Sequence, residues 1–147
     1  RRIVFTNGCF DILHSGLVSY LKQAREMGDI LIVGLNNDES IRRLKGKERP
    51  INTLDSRTEV LSALACVDYI VPFGSIRDDT PVNLIRIIRP EIFVKGGDYK
   101  HRDLPEEKLL RKLGCRIAFI PFVYNQSTTK IINKVQGHAH LKIAVAN

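Results

Sequence analysis

Apolar positions along this chain fall into two alternating patterns, short continuous runs and wider helical stripes. Ile3-Val4-Phe5 is a run of β-forming residues, broken by Thr6-Asn7-Gly8. From Leu17 the spacing turns helical, with Leu17, Leu21 and Ala24 on one stripe, Val18 beside it, and Gly28 as a fitting stop. Ile30 to Leu35 is unbroken, as in a strand buried on both faces. Asp38 then has the position of a cap for a short helix to about Lys45. Gly46 to Thr53 is polar, contains Pro50 and reads as a loop. Ser56 and Glu59 have capping-box spacing before a helix carrying Val60, Leu61 and Leu64.

Tyr69 to Phe73 predicts a third strand, and Thr80-Pro81 opens a helix that Pro90 ends. Ile92 to Lys95 follows as a strand, turned sharply by Gly96-Gly97. A helix over Pro105 to Leu113 stops at Gly114, and Arg116 to Ile120 is the fifth strand. Ser127 or Thr128 starts the last helix, with Ile131, Ile132 and Val135. Strands alternating with helices predict an α/β domain over residues 1–136. Its core is a Rossmann-like, parallel, five-stranded sheet with helices on both faces and ligands at the C-terminal strand edge. Residues 137–147 read as a C-terminal tail, where the alternation of Leu141, Ile143 and Val145 fits an added strand or a loose end.

Composition narrows the partners. A chain of 147 residues with 44% hydrophobic positions has room for one real core. No apolar run reaches membrane-span length and no charged-then-apolar leader opens it, so a cytoplasmic protein without a membrane partner is expected. Cys9, Cys66 and Cys115 lack CxxC spacing and read as reduced thiols. The net charge of +7 is dispersed, except where Lys45, Lys47 and Arg49 gather in one loop. That distribution favours small phosphate-bearing ligands over nucleic acid, whose surfaces usually interleave basic and aromatic residues.

The chemistry-bearing stretch is Thr6 to Leu17. A strand, a glycine-containing turn and a helix present free N–H groups and a positive dipole end, which together suit phosphate. Thr6, Asn7 and Gly8 supply donors, Gly8 and Gly16 permit close approach, and His14 adds an imidazole N–H at the helix entrance. Ser127, Thr128 and Thr129 make a second hydroxyl-rich helix start. Asp11 has two readings, a brace for the loop or a contributor near a metal. Arg57 alone reads as a surface ion pair. Gly97, Asp98 and Tyr99 form a turn at which a flat base fits. Neither GxxxxGK[ST] nor GxGxxG occurs, and His138 and His140 lack a third ligand, so no all-protein metal site is expected.

The string TNGCFDILHSG at Thr6–Gly16 resembles the HxGH signature of the cytidylyltransferase-like nucleotidyltransferases. The blocks DILIVGLNND, RLKG, RPIN, KGGDY and STTKI extend the resemblance to about Val135. It implies transfer of a nucleotidyl group to a phosphate-bearing acceptor, with His14 and Lys45 catalytic. Thr6, Asn7, Gly8, Phe10, Asp11, Gly16, Leu17, Arg57, Gly97, Asp98, Ser127, Thr128 and Thr129 are the implied nucleotide-binding residues. The resemblance is strongest to the branch that uses ATP and a sugar phosphate, heptose 1-phosphate, to make ADP-heptose for lipopolysaccharide. Mg²⁺ is then expected to arrive with the triphosphate, and a homodimer is the usual assembly. Family members occur alone or behind a sugar kinase domain, so a portion before Arg1 is compatible with the abrupt start. Leu17 stands where the motif has its second His. A glycerol-3-phosphate cytidylyltransferase and a catalytically silent nucleotide-binding protein are the alternatives.

Overall fold

Each apolar run becomes a strand, and each stripe a helix laid against it. A computed structural model describes residues 1–97, 104–121 and 128–146, with side chains as far as residue 137. The order is β1 (Ile3–Gly8), α1 (Ser15–Glu26), β2 (Ile30–Asn36), α2 (Asp38–Lys45), α3 (Leu54–Ser62) and β3 (Tyr69–Phe73). It continues through α4 (Val82–Ile88), β4 (Ile92–Gly96), α5 (Glu107–Lys112), β5 (Arg116–Ile120) and α6 (Thr128–Ala146). The five strands are parallel in the order β3-β2-β1-β4-β5. The chain therefore winds outward from β1 to β3, then crosses back to place β4 beside β1, and this is the topological switch point.

Alternation along the strands feeds two cores. Val4, Leu31, Val33 and Val94 pack with Tyr20, Leu21 and Ala24 of α1 and Leu61 of α3. On the other face Phe5 and Phe93, ring centroids 5.8 Å apart, pack with Ile85 of α4 and Leu110 of α5. Gly34 of β2 is required there, because a Cβ would stand 2.9 Å from Phe5 Cζ and 3.3 Å from Asn7 Cβ.

The β1–β4 ladder is short. Only Val4↔Ile92 and Phe5↔Phe93 pair, whereas β1 and β2 stay in register from Ile3↔Ile30 to Gly8↔Leu35. Beyond Phe5 the Val94 carbonyl is met by two hydroxyls, Thr6 Oγ1 at 2.8 Å and Tyr20 OH at 3.0 Å.

Several boundaries differ from expectation, for local reasons. Helix α1 begins at Ser15, two residues before the apolar stripe. Asn37, not Asp38, caps α2, its side chain accepting from Ser40 N at 2.9 Å. Thr53 rather than Ser56 caps α3, and Val60 is 47% exposed while Leu61 takes the core position. Helix α6 runs on to Ala146, so residues 137–146 extend a helix instead of adding a strand. Asp98, Tyr99 and Ser127 lie outside the described residues. No helix among the described residues is long and apolar enough to cross a membrane.

Candidate active site

A cavity of about 370 Å³ opens at the C-terminal edge of the sheet, above the switch point. Asn7 and Gly8 reach it from β1, His14, Gly16, Leu17 and Tyr20 from the entrance and first turns of α1, and Lys95 and Gly96 from β4. Cys9, Phe10 and Asp11 of the connecting loop, Lys45 and Arg49, and Thr128 and Thr129 of α6 complete the wall.

His14 is the N-cap of α1. Its backbone is extended, and its Nδ1 accepts from the Leu17 amide at 3.4 Å. That bond fixes the tautomer, so in the neutral ring Nε2 carries the hydrogen. Burial lowers the His14 pKa and favours this neutral donor. The capping role was not read from the sequence because helix caps are usually Ser, Thr, Asp or Asn.

The loop between β1 and α1 is held from below. Phe10 has φ 47, in the left-handed region, and its ring is 9% exposed within the α1-side core. The turn sends Asp11 inward. Its Oδ2 accepts from Arg49 Nε at 2.9 Å and Ile51 N at 2.8 Å, and its Oδ1 from Asn52 N at 2.9 Å. Asp11 is thus the brace, and the same bonds carry Arg49 to the cavity wall. Burial acts to raise the Asp11 pKa, but the Asn52 and Ile51 amides and Arg49 outweigh it and hold the carboxyl below its ordinary 3.8. A depressed folded pKa contributes stability above the unfolded value, and that contribution is lost as pH falls through the folded one. Melting temperature against pH should therefore drop for the wild type below about pH 3.8. Asp11→Asn, lower throughout, should show a shallower acid limb; parallel limbs would contradict the brace.

Arg57 is not a surface residue, and it does not line the cavity. It is 1% exposed, and its NH1 donates to Cys9 O at 2.9 Å and Asn36 O at 2.7 Å. Its Nε donates to Asn52 O at 3.0 Å and its NH2 to Asp38 Oδ1 at 2.7 Å. Four of its N–H donors thus tie the loop after β1, the end of β2 and the residue 49–52 loop together.

Other expected residues sort in the same way. Thr6 is fully buried, and its hydroxyl is engaged by Tyr20 and Val94, so it is a strut beneath the cavity. Thr128 Oγ1 donates to Ile12 O at 3.2 Å and accepts from Ile12 N at 3.4 Å, docking the start of α6 onto the loop. Lys45 is the last residue of α2 rather than a loop residue. Gly97, with φ 110, gives its N–H to Ile120 O, and of this pair Gly96 is the one that lines the wall. Tyr20, Cys9 and Lys95 were not singled out by sequence. A charge ending the apolar strand Ile92–Val94 was the available sign for Lys95. Among the described residues no group of three or more His, Cys, Asp or Glu could hold a metal ion.

A parallel sheet with a cavity at its switch point and a capped helix entrance on that cavity defines a nucleotide-binding α/β domain. The chain belongs to the cytidylyltransferase-like family, whose model matches residues 5–134. It is 53% identical over 135 residues to the bifunctional protein HldE of Helicobacter hepaticus, covering 92% of this chain and 27% of that protein. It is 50% identical over 136 residues to the bifunctional protein HldE of Campylobacter concisus, with the same coverage of 92% and 27%. The chain thus spans about a quarter of the length of these curated relatives, 27% in each case. Among solved structures, the lipopolysaccharide core biosynthesis protein from Thermoplasma volcanium superposes with a TM-score of 0.64 at 29% identity, covering 85% of this chain and 98% of that one. Pantothenate synthetase from Thermus thermophilus superposes with a TM-score of 0.56 at 14% identity, over 82% of this chain and 56% of that one, a likeness of fold alone.

Proposed function

We propose that the domain transfers the adenylyl group of ATP to a sugar 1-phosphate, heptose 1-phosphate, releasing pyrophosphate and forming ADP-heptose. One observation carries the reading: His14 is fixed through Nδ1 at the entrance of α1, leaving Nε2–H as donor, on a cavity shared with the start of α6. An oxygen of the sugar phosphate attacks the α-phosphorus as the bond to the bridging oxygen breaks, and pyrophosphate leaves with that electron pair. Such a transfer asks the protein mainly for position and charge. His14 donates to a phosphoryl oxygen, Lys45 and Arg49 offset the developing charge, and the α6 start receives the β and γ groups. Mg²⁺ enters as part of the ATP substrate, held by phosphate oxygens and water. Asp11 is not assigned to it, since both its oxygens already accept hydrogen bonds. The identity to proteins named HldE, and the lipopolysaccharide title of the structural neighbour, support the sugar-phosphate branch.

Pyrophosphate release from ATP and CTP, each against heptose 1-phosphate, other sugar 1-phosphates and glycerol 3-phosphate, tests this. The expected signal is ATP with heptose 1-phosphate. Calorimetric titration with Mg²⁺ should likewise show ATP binding tighter than CTP. Preference for CTP with glycerol 3-phosphate would move the domain to the cytidylyltransferase branch.

A further inference from the structure

The cavity wall is assembled from both faces of the sheet. Tyr20 belongs to the core on the α1 side, and His14 and Leu17 stand at the entrance of that helix. Asn7 and Lys95 follow Phe5 and Phe93 by two positions and so point to the α4–α5 side. The Lys95 ammonium stands 5.7 Å from the Phe93 ring centroid and donates to Asn7 Oδ1 at 3.2 Å. An ammonium has three donors, and this bond uses one. It also orients Asn7 so that its amide nitrogen is a further donor. Behind them Glu106 is 1% exposed, and its Oε2 has no hydrogen-bond partner among the described residues. Burial lowers the Lys95 pKa, and the Glu106 charge opposes that effect. A half-buried cation with donors to spare is a site that an anion completes.

In-line displacement puts the entering and leaving oxygens on opposite sides of the α-phosphorus. Lys95 and Asn7 reach the cavity from the other face of the sheet than the α1 entrance, so with pyrophosphate leaving beside His14 and the α6 start they are the groups an entering phosphate would meet. We propose that Lys95, with the Asn7 amide, binds the phosphate of the acceptor sugar, an inference that rests on the adenylyl-transfer reading above. The ammonium keeps its proton throughout, and the only bonds exchanged are those at the α-phosphorus.

The test is calorimetry on the whole chain with heptose 1-phosphate and, separately, with a non-hydrolysable ATP analogue and Mg²⁺, beside steady-state kinetics. Lys95→Met should weaken heptose 1-phosphate binding, and raise its KM, by at least about tenfold, the usual cost of a charged hydrogen bond. Analogue affinity should stay within about twofold, and Lys95→Arg should restore part of the loss. Lys95→Gln, which retains a donor for Asn7, replaces the Met variant should that one melt early. Loss of analogue binding with acceptor binding intact would place Lys95 on the nucleotide, and no change in either would make it structural; both overturn the proposal. If the wild type binds heptose 1-phosphate but neither it nor Leu17→His releases pyrophosphate, the transfer reading fails while the Lys95 titration still decides the subsite. No heptose 1-phosphate binding by the wild type overturns the subsite as well.

Discussion

Replacing Leu17 by His is expected to raise turnover by at least about tenfold, because one positioned donor to developing phosphoryl charge is typically worth about 10²–10³ in rate. Position 17 is three residues from His14 on the helix entrance, so both side chains face one ligand. The Leu17 side chain already lines the cavity and packs on the α1-side core, and its amide is the group that His14 Nδ1 holds. A histidine there keeps the amide bond, adds a ring N–H and gives up some apolar contact. The chain as it stands should therefore bind ATP and turn over slowly. Pyrophosphate release at saturating substrates, with melting temperature as control, measures both. An ordinary enzymatic rate with Leu17 in place, unimproved by His, would mean that His14 suffices and that the second donor is dispensable.

Arg57→Met should be the most destabilising single change in the site region. It strands the carbonyls of Cys9, Asn36 and Asn52 and the Asp38 carboxylate, all now served by one guanidinium. An unsatisfied buried acceptor costs about 1–3 kcal/mol, so a loss on the order of 3 kcal/mol or more is expected, a fall of about 10 °C in Tm. Arg57→Lys should rescue little, since an ammonium cannot reproduce the planar fork. Thermal melts with an ATP titration separate the two roles: weaker ATP binding at unchanged Tm would return Arg57 to the ligand.

The contrast between those residues shows what a linear sequence makes legible. The strands and the strand–turn–helix unit were readable because their signals are local: apolar runs, a helical stripe, glycines at the turns. Caps were less so, because Asn37 stands beside Asp38, and Thr53 shortly before Ser56, and every one of these side chains is able to cap. Long-range pairs were not readable at all. Asp11 meets Arg49 from 38 positions away, Arg57 meets Cys9 from 48, and Asn7 meets Lys95 from 88. Whether a polar residue faces ligand or scaffold is set by such pairs. That is why Thr6 and Arg57, read from sequence as ligand residues, are struts, while Lys95 stands at the cavity wall.

The two-residue ladder between β1 and β4 makes the switch point a seam. On one side lie β1, β2 and β3 with His14, Lys45 and Arg49; on the other lie β4, β5 and Lys95. Above Phe5 and Phe93 no strand pairing among the described residues joins the two sides; side-chain bonds do, from the hydroxyls on the Val94 carbonyl, Lys95 to Asn7 and Thr128 to Ile12, together with the packing of Val94 and Ile120 against α1. A substrate seated over the seam therefore acts as a staple, and its binding free energy appears as resistance to heat, about 2.7 kcal/mol at a hundred times Kd. Thermal shift then becomes a catalogue of substrates that needs no turnover.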